Sequence, residues 1–176
     1  MLGPRDLEGH AAGLAQRVAS TGADVVVARV RYLAGRLDVA ISLDADLPGS
    51  GFPKTSRLRF VERWARGFRD QPWRLVEYTY ELIDHERDSR RALHLHNADW
   101  FVQTYRVVVH EHCERPIGTT HCDHLAGTPV RDGYEALDRL METWTHDDPV
   151  DCTSYACLEW TTGTSDSVED DTLIDI

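Results

Sequence analysis

The segment richest in reactive side chains is VVVHEHCERPIGTTHCDH, which runs from Val107 to His124. It holds four of the nine histidines and two of the four cysteines of the chain. Histidine exchanges protons close to neutral pH, and histidine and cysteine are side chains that zinc prefers as ligands. The segment therefore predicts an acid–base centre or a metal site. The sequence leaves both interpretations open, together with a third, an interaction protein whose histidines are ordinary surface residues.

The metal interpretation treats the histidines and cysteines of this segment as zinc ligands. The candidates are His110, His112, Cys113, His121, Cys122 and His124. Zinc in a structural site is tetrahedral, and such sites commonly show a CxxC or HxxxH spacing, which this segment lacks. On this interpretation the protein is a binding or adaptor protein that zinc stabilises and that has no catalytic activity.

The acid–base interpretation adds a second segment, RRALHLH, which carries His94 and His96. Residues two apart in a strand project to the same side, so His94 with His96 and His110 with His112 form two pairs. If the two strands lie side by side, both pairs share one polar face of a sheet. We expect that face to be the candidate site.

Metal-free cleavage of RNA is the chemistry that suits such a face. It needs a base for the 2′-hydroxyl, an acid for the leaving oxygen and a cation for the phosphate. These groups are supplied by His110, His112, Glu111 and Arg115. Glu111 alternates to the other side of its strand, where a surface or hydrogen-bonding role is the simpler interpretation, and Arg115 is more simply explained as an exposed loop residue. An enzyme of this kind needs no cofactor.

A β-hairpin is predicted to position the first histidine pair. WRLVEYTYELID and RRALHLH both alternate apolar and polar residues, and a turn over His85–Ser89 joins them. The register that pairs Leu82 with Leu93 sets Glu81 opposite His94, and a carboxylate beside an imidazole fixes the ring for proton transfer. The same alternation also describes an ordinary solvated face of a sheet.

The position of the second histidine pair depends on the chain between the two pairs. Residues 98–105 predict a short helix, after which RVVVHEH forms a strand that lies beside residues 91–96. The competing interpretation is one long strand from Trp100 to His112, which would separate the two pairs. The site hypothesis requires the first arrangement.

A basic segment runs from Lys54 to Arg74 and contains only two acidic residues. Within it TSRLRFVERWARGFRD predicts a helix that carries Arg59, Arg63 and Arg66 opposite an apolar stripe. These arginines could track the phosphates of a nucleic acid. They could equally be the solvated face of a helix that covers the core.

The remaining elements predict an α+β fold. Residues 6–20 and the segment TPVRDGYEALDRLMETWT read as amphipathic helices, and DVVVARVRYLAGRLDVAISLDADL reads as a first hairpin. We expect a mainly antiparallel sheet of about five strands with the helices packed on one face. Residues 1–160 form a single domain, residues 161–176 form an acidic, disordered tail, and the isolated His10 is a surface residue.

Composition limits the partners of the protein. The formal net charge is −11, so a contact with RNA must come from a local basic patch. Neither an apolar signal-peptide region nor a run of about eighteen apolar residues occurs, which predicts a cytoplasmic protein without a membrane partner. The irregularly spaced cysteines indicate thiols or metal ligands rather than a disulfide framework.

The order of the motifs YTYELID, ALHLHN, HEHCERPIG and RDGYEALDRLMETW resembles the TumE type of toxin from small toxin–antitoxin modules. The resemblance covers Trp73 to Trp144 and consists of a tyrosine-rich strand, a second strand, a His-x-His signature and a C-terminal helix after a proline-containing loop. Only His110 and His112 fall on the His-x-His signature, and residues 97–106 are an insertion. The resemblance implies a toxin directed at RNA, with a cognate antitoxin as its partner.

Overall fold

A computed structural model describes residues 6–33, 37–47, 56–95, 109–125, 130, 132–145 and 157–158. Within these residues the fold is α+β, with one antiparallel sheet of eight strands and two α-helices. The elements are α1 (Asp6–Ala19), β1 (Asp24–Leu33), β2 (Asp38–Asp46), β3 (Ser56–Ala65), β4 (Arg74–Asp84), β5 (Ser89–Leu95), β6 (Val109–Glu114), β7 (Thr120–Leu125), β8 (Cys157–Leu158) and α2 (Gly133–Thr145). The strands lie in the sheet in the order in which they follow along the chain.

The sheet has three strands more than the sequence predicts. Strands β1, β2, β4, β5 and β6 were expected, whereas β3, β7 and β8 were not. Strand β3 occupies the segment for which the sequence predicts a helix, and that prediction is wrong. The segment forms a strand because β2 and β4 pair with it on its two sides. In a strand successive side chains point to opposite faces, so the buried Leu58, Phe60 and Trp64 alternate with exposed arginines.

The second hairpin forms as expected but in a different register. Leu82 pairs with Arg91 rather than with Leu93, so Glu81 lies opposite Ala92. The turn covers residues 85–88, where the Asp84 carboxylate accepts the backbone N–H groups of residues 86 and 87 at 3.1 and 3.3 Å. A slip of two residues keeps every side chain on its face, so apolar alternation does not determine this register.

The core lies between the sheet and the two helices. Leu14 of α1 and Leu137 of α2 belong to one buried cluster with Phe60 and Tyr80 of the sheet. Asp132 caps α2, because its carboxylate accepts the N–H groups of residues 134 and 135 at 3.0 and 3.1 Å. None of the helices in the described ranges is long and apolar enough to cross a membrane.

Two predicted features fall outside the described residues. They are the short helix over residues 98–105 and the acidic tail over residues 161–176. The site hypothesis requires the strand that carries His110 and His112 to lie beside the strand that carries His94. The structure has this arrangement, because β6 pairs directly with β5.

Candidate functional site

Strands β5 and β6 bring two of the predicted histidines to opposed backbone positions. His94 of β5 is paired with His110 of β6, and His112 is paired with Ala92. Directly opposed residues of antiparallel strands have Cα atoms about 4.5–5.5 Å apart. The strand that carries His94 and the strand that carries His110 and His112 are therefore neighbours in the sheet, as the site hypothesis expects.

The His94 side chain lies on the face of the sheet opposite to the main core. Tyr80 and Leu93 are paired and point into the core, whereas their sequence neighbours Thr79 and His94 are paired on the other face. His94 is only 7% exposed, and its Nδ1 lies 3.2 Å from the Thr79 hydroxyl oxygen. This contact fixes the orientation of the ring, which is the role that the sequence assigned to Glu81.

Glu81 has a different partner from the one predicted. Arg90 donates hydrogen bonds both to Glu81 and to Glu114, and it bridges the two carboxylates across β5. Burial alone would lower the pKa of Arg90, but the hydrogen bonds and charges of the two glutamates outweigh burial and raise it. Arg59 of β3 lies 4.0 Å from Glu81 on its other side. Glu81 therefore neutralises arginines and is not the carboxylate partner of His94.

The two non-histidine residues of the segment HEHC point into the core. Glu111 is 2% exposed and Cys113 is fully buried. The Glu111 carboxylate accepts a hydrogen bond from the guanidinium of Arg91, which also donates to the Thr143 hydroxyl of α2 at 3.1 Å. The prediction of a hydrogen-bonding role for Glu111 agrees with this contact. It places Glu111 away from the His94 face.

The six predicted zinc ligands belong to two neighbouring strands. His110, His112 and Cys113 lie in β6, and the Cys113 side chain is buried. Cys122 of β7 is paired in the backbone with Cys113, and His124 is paired with Glu111. His121 lies in the same strand.

Among the side chains that the structure describes, no three histidines, cysteines or acids form a group that could hold a metal ion. The side chains of the predicted metal ligands other than Cys113, and the whole of His96, lie outside that part of the chain. The case for a metal site therefore rests on the backbone positions of the predicted ligands.

The predicted phosphate-binding arginines already contact other residues of the protein, and two of them, Arg59 and Arg63, have acidic partners. Arg63 donates to both oxygens of Asp38, with a shortest distance of 2.8 Å, and it lies 3.4 Å from Glu77. Hydrogen bonding to Asp38 raises the pKa of Arg63. Arg66 stacks on Trp73, with 4.2 Å between the guanidinium carbon and the ring centroid. These arginines are not a helical stripe, because they lie on and beyond a strand.

Arg115 begins the loop that follows β6, and it is exposed. This position agrees with the simpler prediction of an exposed loop arginine. It also leaves Arg115 accessible to an anion.

The sequence did not predict a second polar centre, which lies in the core. Glu62 of β3 is fully buried, and its carboxylate accepts hydrogen bonds at 2.8 Å from the Trp64 indole and from the Tyr80 hydroxyl. The Nε2 atom of His10 lies 2.8 Å from the same carboxylate. Glu62 could have been suspected only because it occupies an apolar position of an alternating strand.

His10 is therefore not the surface residue that the sequence predicts. Its side chain is 6% exposed, and its ring packs edge-on against Trp64 and Tyr134 at 5.3 and 5.6 Å. Burial alone would lower the pKa of His10, but the hydrogen bond and charge of Glu62, with a contribution from Asp132, raise it.

Two polar centres thus lie on opposite faces of the sheet, one around His94 and one around Glu62. The second is enclosed by both helices, whereas the first lies on the face where the histidine segments meet. The chain matches no protein-family model, and neither a curated protein nor a solved structure is significantly similar to it.

Proposed function

We propose that the protein cleaves RNA by metal-independent acid–base chemistry at the face formed by β5 and β6. The observation that carries the proposal is the direct pairing of His94 with His110 in the backbone. His94 and His110 are far apart in the sequence but lie on adjacent strands. Two histidines placed in this way can act as base and acid on one phosphodiester.

The roles follow from the surroundings of each group. Thr79 contacts Nδ1 of His94 and orients its ring, and we assign proton transfer to this imidazole. His112, two residues from His110 on the same strand, is the third candidate for proton transfer. We assign contact with the phosphate to Arg115, which is exposed in the loop after β6.

The proposal extends to partners through the resemblance to TumE-type toxins. A toxin that cleaves RNA has RNA as its substrate and is held inactive by a cognate antitoxin. The antitoxin is therefore part of the proposal, and its binding should suppress cleavage.

The test is an RNA cleavage assay on protein that a chelator has stripped of metal. We expect the wild type to cleave RNA and to leave a 2′,3′-cyclic phosphate, because the attacking group is the 2′-hydroxyl. A DNA oligonucleotide of the same sequence lacks this group and should stay intact. His94→Ala and His110→Ala should each slow cleavage by about a hundredfold, and His112→Ala tests the third candidate.

The matched control is His85→Ala, which removes an exposed histidine of the turn between β4 and β5. It should leave the rate unchanged. Cleavage that persists in His94→Ala and His110→Ala, or that acts equally on DNA, would contradict the proposal.

A second candidate is a non-catalytic protein that zinc stabilises. A specific observation favours it: Cys113 is paired with Cys122 and Glu111 with His124, at adjacent same-face positions of β6 and β7. In addition, Oε2 of the buried Glu111 has no hydrogen-bond partner among the residues that the structure describes. Thiolate, imidazole and carboxylate are all suitable zinc ligands.

Elemental analysis of the purified protein distinguishes the two candidates. Zinc binding predicts about one zinc per chain. Cys113→Ser should release this metal and lower the unfolding temperature. Protein without zinc that cleaves RNA would exclude the second candidate, and stoichiometric zinc without any RNA cleavage would exclude the first.

A further inference from the structure

Strand β1 is an edge of the sheet. It pairs with β2 on one side, and no described strand pairs with its other side. It is ten residues long and rich in valine, whereas strands commonly have about five or six residues. An edge of this kind presents a row of unpaired backbone N–H and C=O groups, which can pair with another extended chain.

Strand β1 carries exposed apolar side chains. Three large apolar residues are prominently exposed in the described part of the chain, and two of them, Val26 (58% exposed) and Tyr32 (46% exposed), belong to β1. Such residues would be covered by a strand that is added to this edge.

The charge of β1 is opposite to that of the chain as a whole. Arg29 and Arg31 are exposed, lie on the same face and are paired with the uncharged Ser42 and Ala40 of β2. Neither arginine takes part in an ion pair with a described residue. In contrast, Arg57, Arg59 and Arg63 of β3 each have an acidic partner.

A second copy of the chain is a poor occupant of this edge. Beyond the bulge between Val25 and Val27, residues on the arginine face are 27, 29, 31 and 33. Antiparallel pairings of this segment with itself that are centred on residue 29, 30 or 31 overlap at least five residues, and each of them sets Arg29 or Arg31 opposite an arginine of the other copy. Like charges directly opposite each other in a sheet destabilise the pair.

We propose that the β1 edge binds an extended acidic segment of a partner protein by strand addition. The segment has acidic residues two positions apart, which face Arg29 and Arg31, and apolar residues at the intervening positions. The backbone hydrogen bonds supply affinity, and the two arginines select the charge. This inference is independent of the histidine face, which lies on other strands.

The test measures binding of a synthetic ten-residue peptide in which glutamate and valine alternate. We expect saturable binding that weakens with salt, together with slower hydrogen exchange in β1. The same peptide with lysine in place of glutamate should not bind. The double variant Arg29→Glu, Arg31→Glu should lose affinity by about tenfold or more.

The matched control is the double variant Arg69→Glu, Arg74→Glu. It makes the same change of net charge at two exposed arginines outside β1, and it should bind the peptide like the wild type. The proposal is overturned if the glutamate peptide does not bind, if both double variants bind it equally, or if slower exchange occurs outside β1. Self-association that Arg29→Glu, Arg31→Glu abolishes would instead assign the edge to a second copy.

Discussion

The imidazole of His10 in α1 lies 2.8 Å from the carboxylate of Glu62 at the centre of β3. Both side chains are almost completely withdrawn from water, so each depends on the other for the interactions that water would supply. Because Trp64 and Tyr80 also donate to this carboxylate, the contact anchors the N-terminal helix to two strands of the sheet.

We expect His10→Ala to lower the free energy of unfolding by about 2–3 kcal/mol. The substitution removes the partner of a buried carboxylate, although the Trp64 and Tyr80 donors remain to satisfy part of its need. Urea denaturation measures the change. His85→Ala, in an exposed turn, is the control and should stay within about 0.5 kcal/mol of the wild type. Equal effects of the two substitutions would contradict a stabilising role for the His10–Glu62 contact.

The same contact predicts a dependence of stability on pH. The pKa of His10 is raised in the folded protein above its ordinary value of 6.5, so folding favours the protonated ring. This contribution is fully present below pH 6.5, and it is lost as the pH rises through the raised pKa. The stability difference between the wild type and His10→Gln should therefore shrink as the pH rises past 6.5. Denaturation curves at several pH values measure it, and a constant difference would contradict a raised pKa of His10 in the folded protein.

Local patterns in the sequence predicted both helices and five of the eight strands. The capped apolar periodicity of α2 and the alternation of β2 and β4 are local properties, and all three elements occur where these patterns lie. Strand β3 was mistaken for a helix because Phe60, Trp64 and Phe68 are spaced by four, which satisfies a helix. Leu58, Phe60 and Trp64 also satisfy a strand, and only pairing with β2 and β4 decides between the two.

The candidate site was harder to predict, because it depends on register and on distant contacts. The partner of His94 is Thr79 rather than Glu81, since the turn after Asp84 shifts the pairing by two residues. The contact between His10 and Glu62 joins residues 52 positions apart. No local pattern specifies such a contact, and a lone histidine in an exposed-looking helix gives no sign of it.

A glycine at the start of α2 tests how closely the helix approaches the Glu62 centre. A Cβ atom at Gly133 would lie 2.9 Å from Leu14 Cδ2 and 3.0 Å from Glu62 Oε1. We therefore expect Gly133→Ala to destabilise the protein by about 1–3 kcal/mol through overpacking. Gly9→Ala in α1 is the control, since a Cβ there meets nothing within 4 Å. It should stabilise by about 0.5–1 kcal/mol. Thermal unfolding compares the two, and a neutral Gly133→Ala would mean that α2 can move away.

The ion pair between Arg91 and Glu111 is expected to contribute little net stability, although each side chain is needed to neutralise the buried charge of the other. Both side chains are largely buried, at 10% and 3% exposure, so either single substitution leaves an uncompensated charge beneath α2. Arg91→Met and Glu111→Leu should each cost about 3–5 kcal/mol, whereas the double variant should lie within about 1–2 kcal/mol of the wild type. Denaturation of all four proteins completes the double-mutant cycle and yields the coupling energy. Additive costs would contradict direct pairing. Because neither residue lies on the His94 face, the double variant should also retain any RNA cleavage, which separates stability from the proposed chemistry.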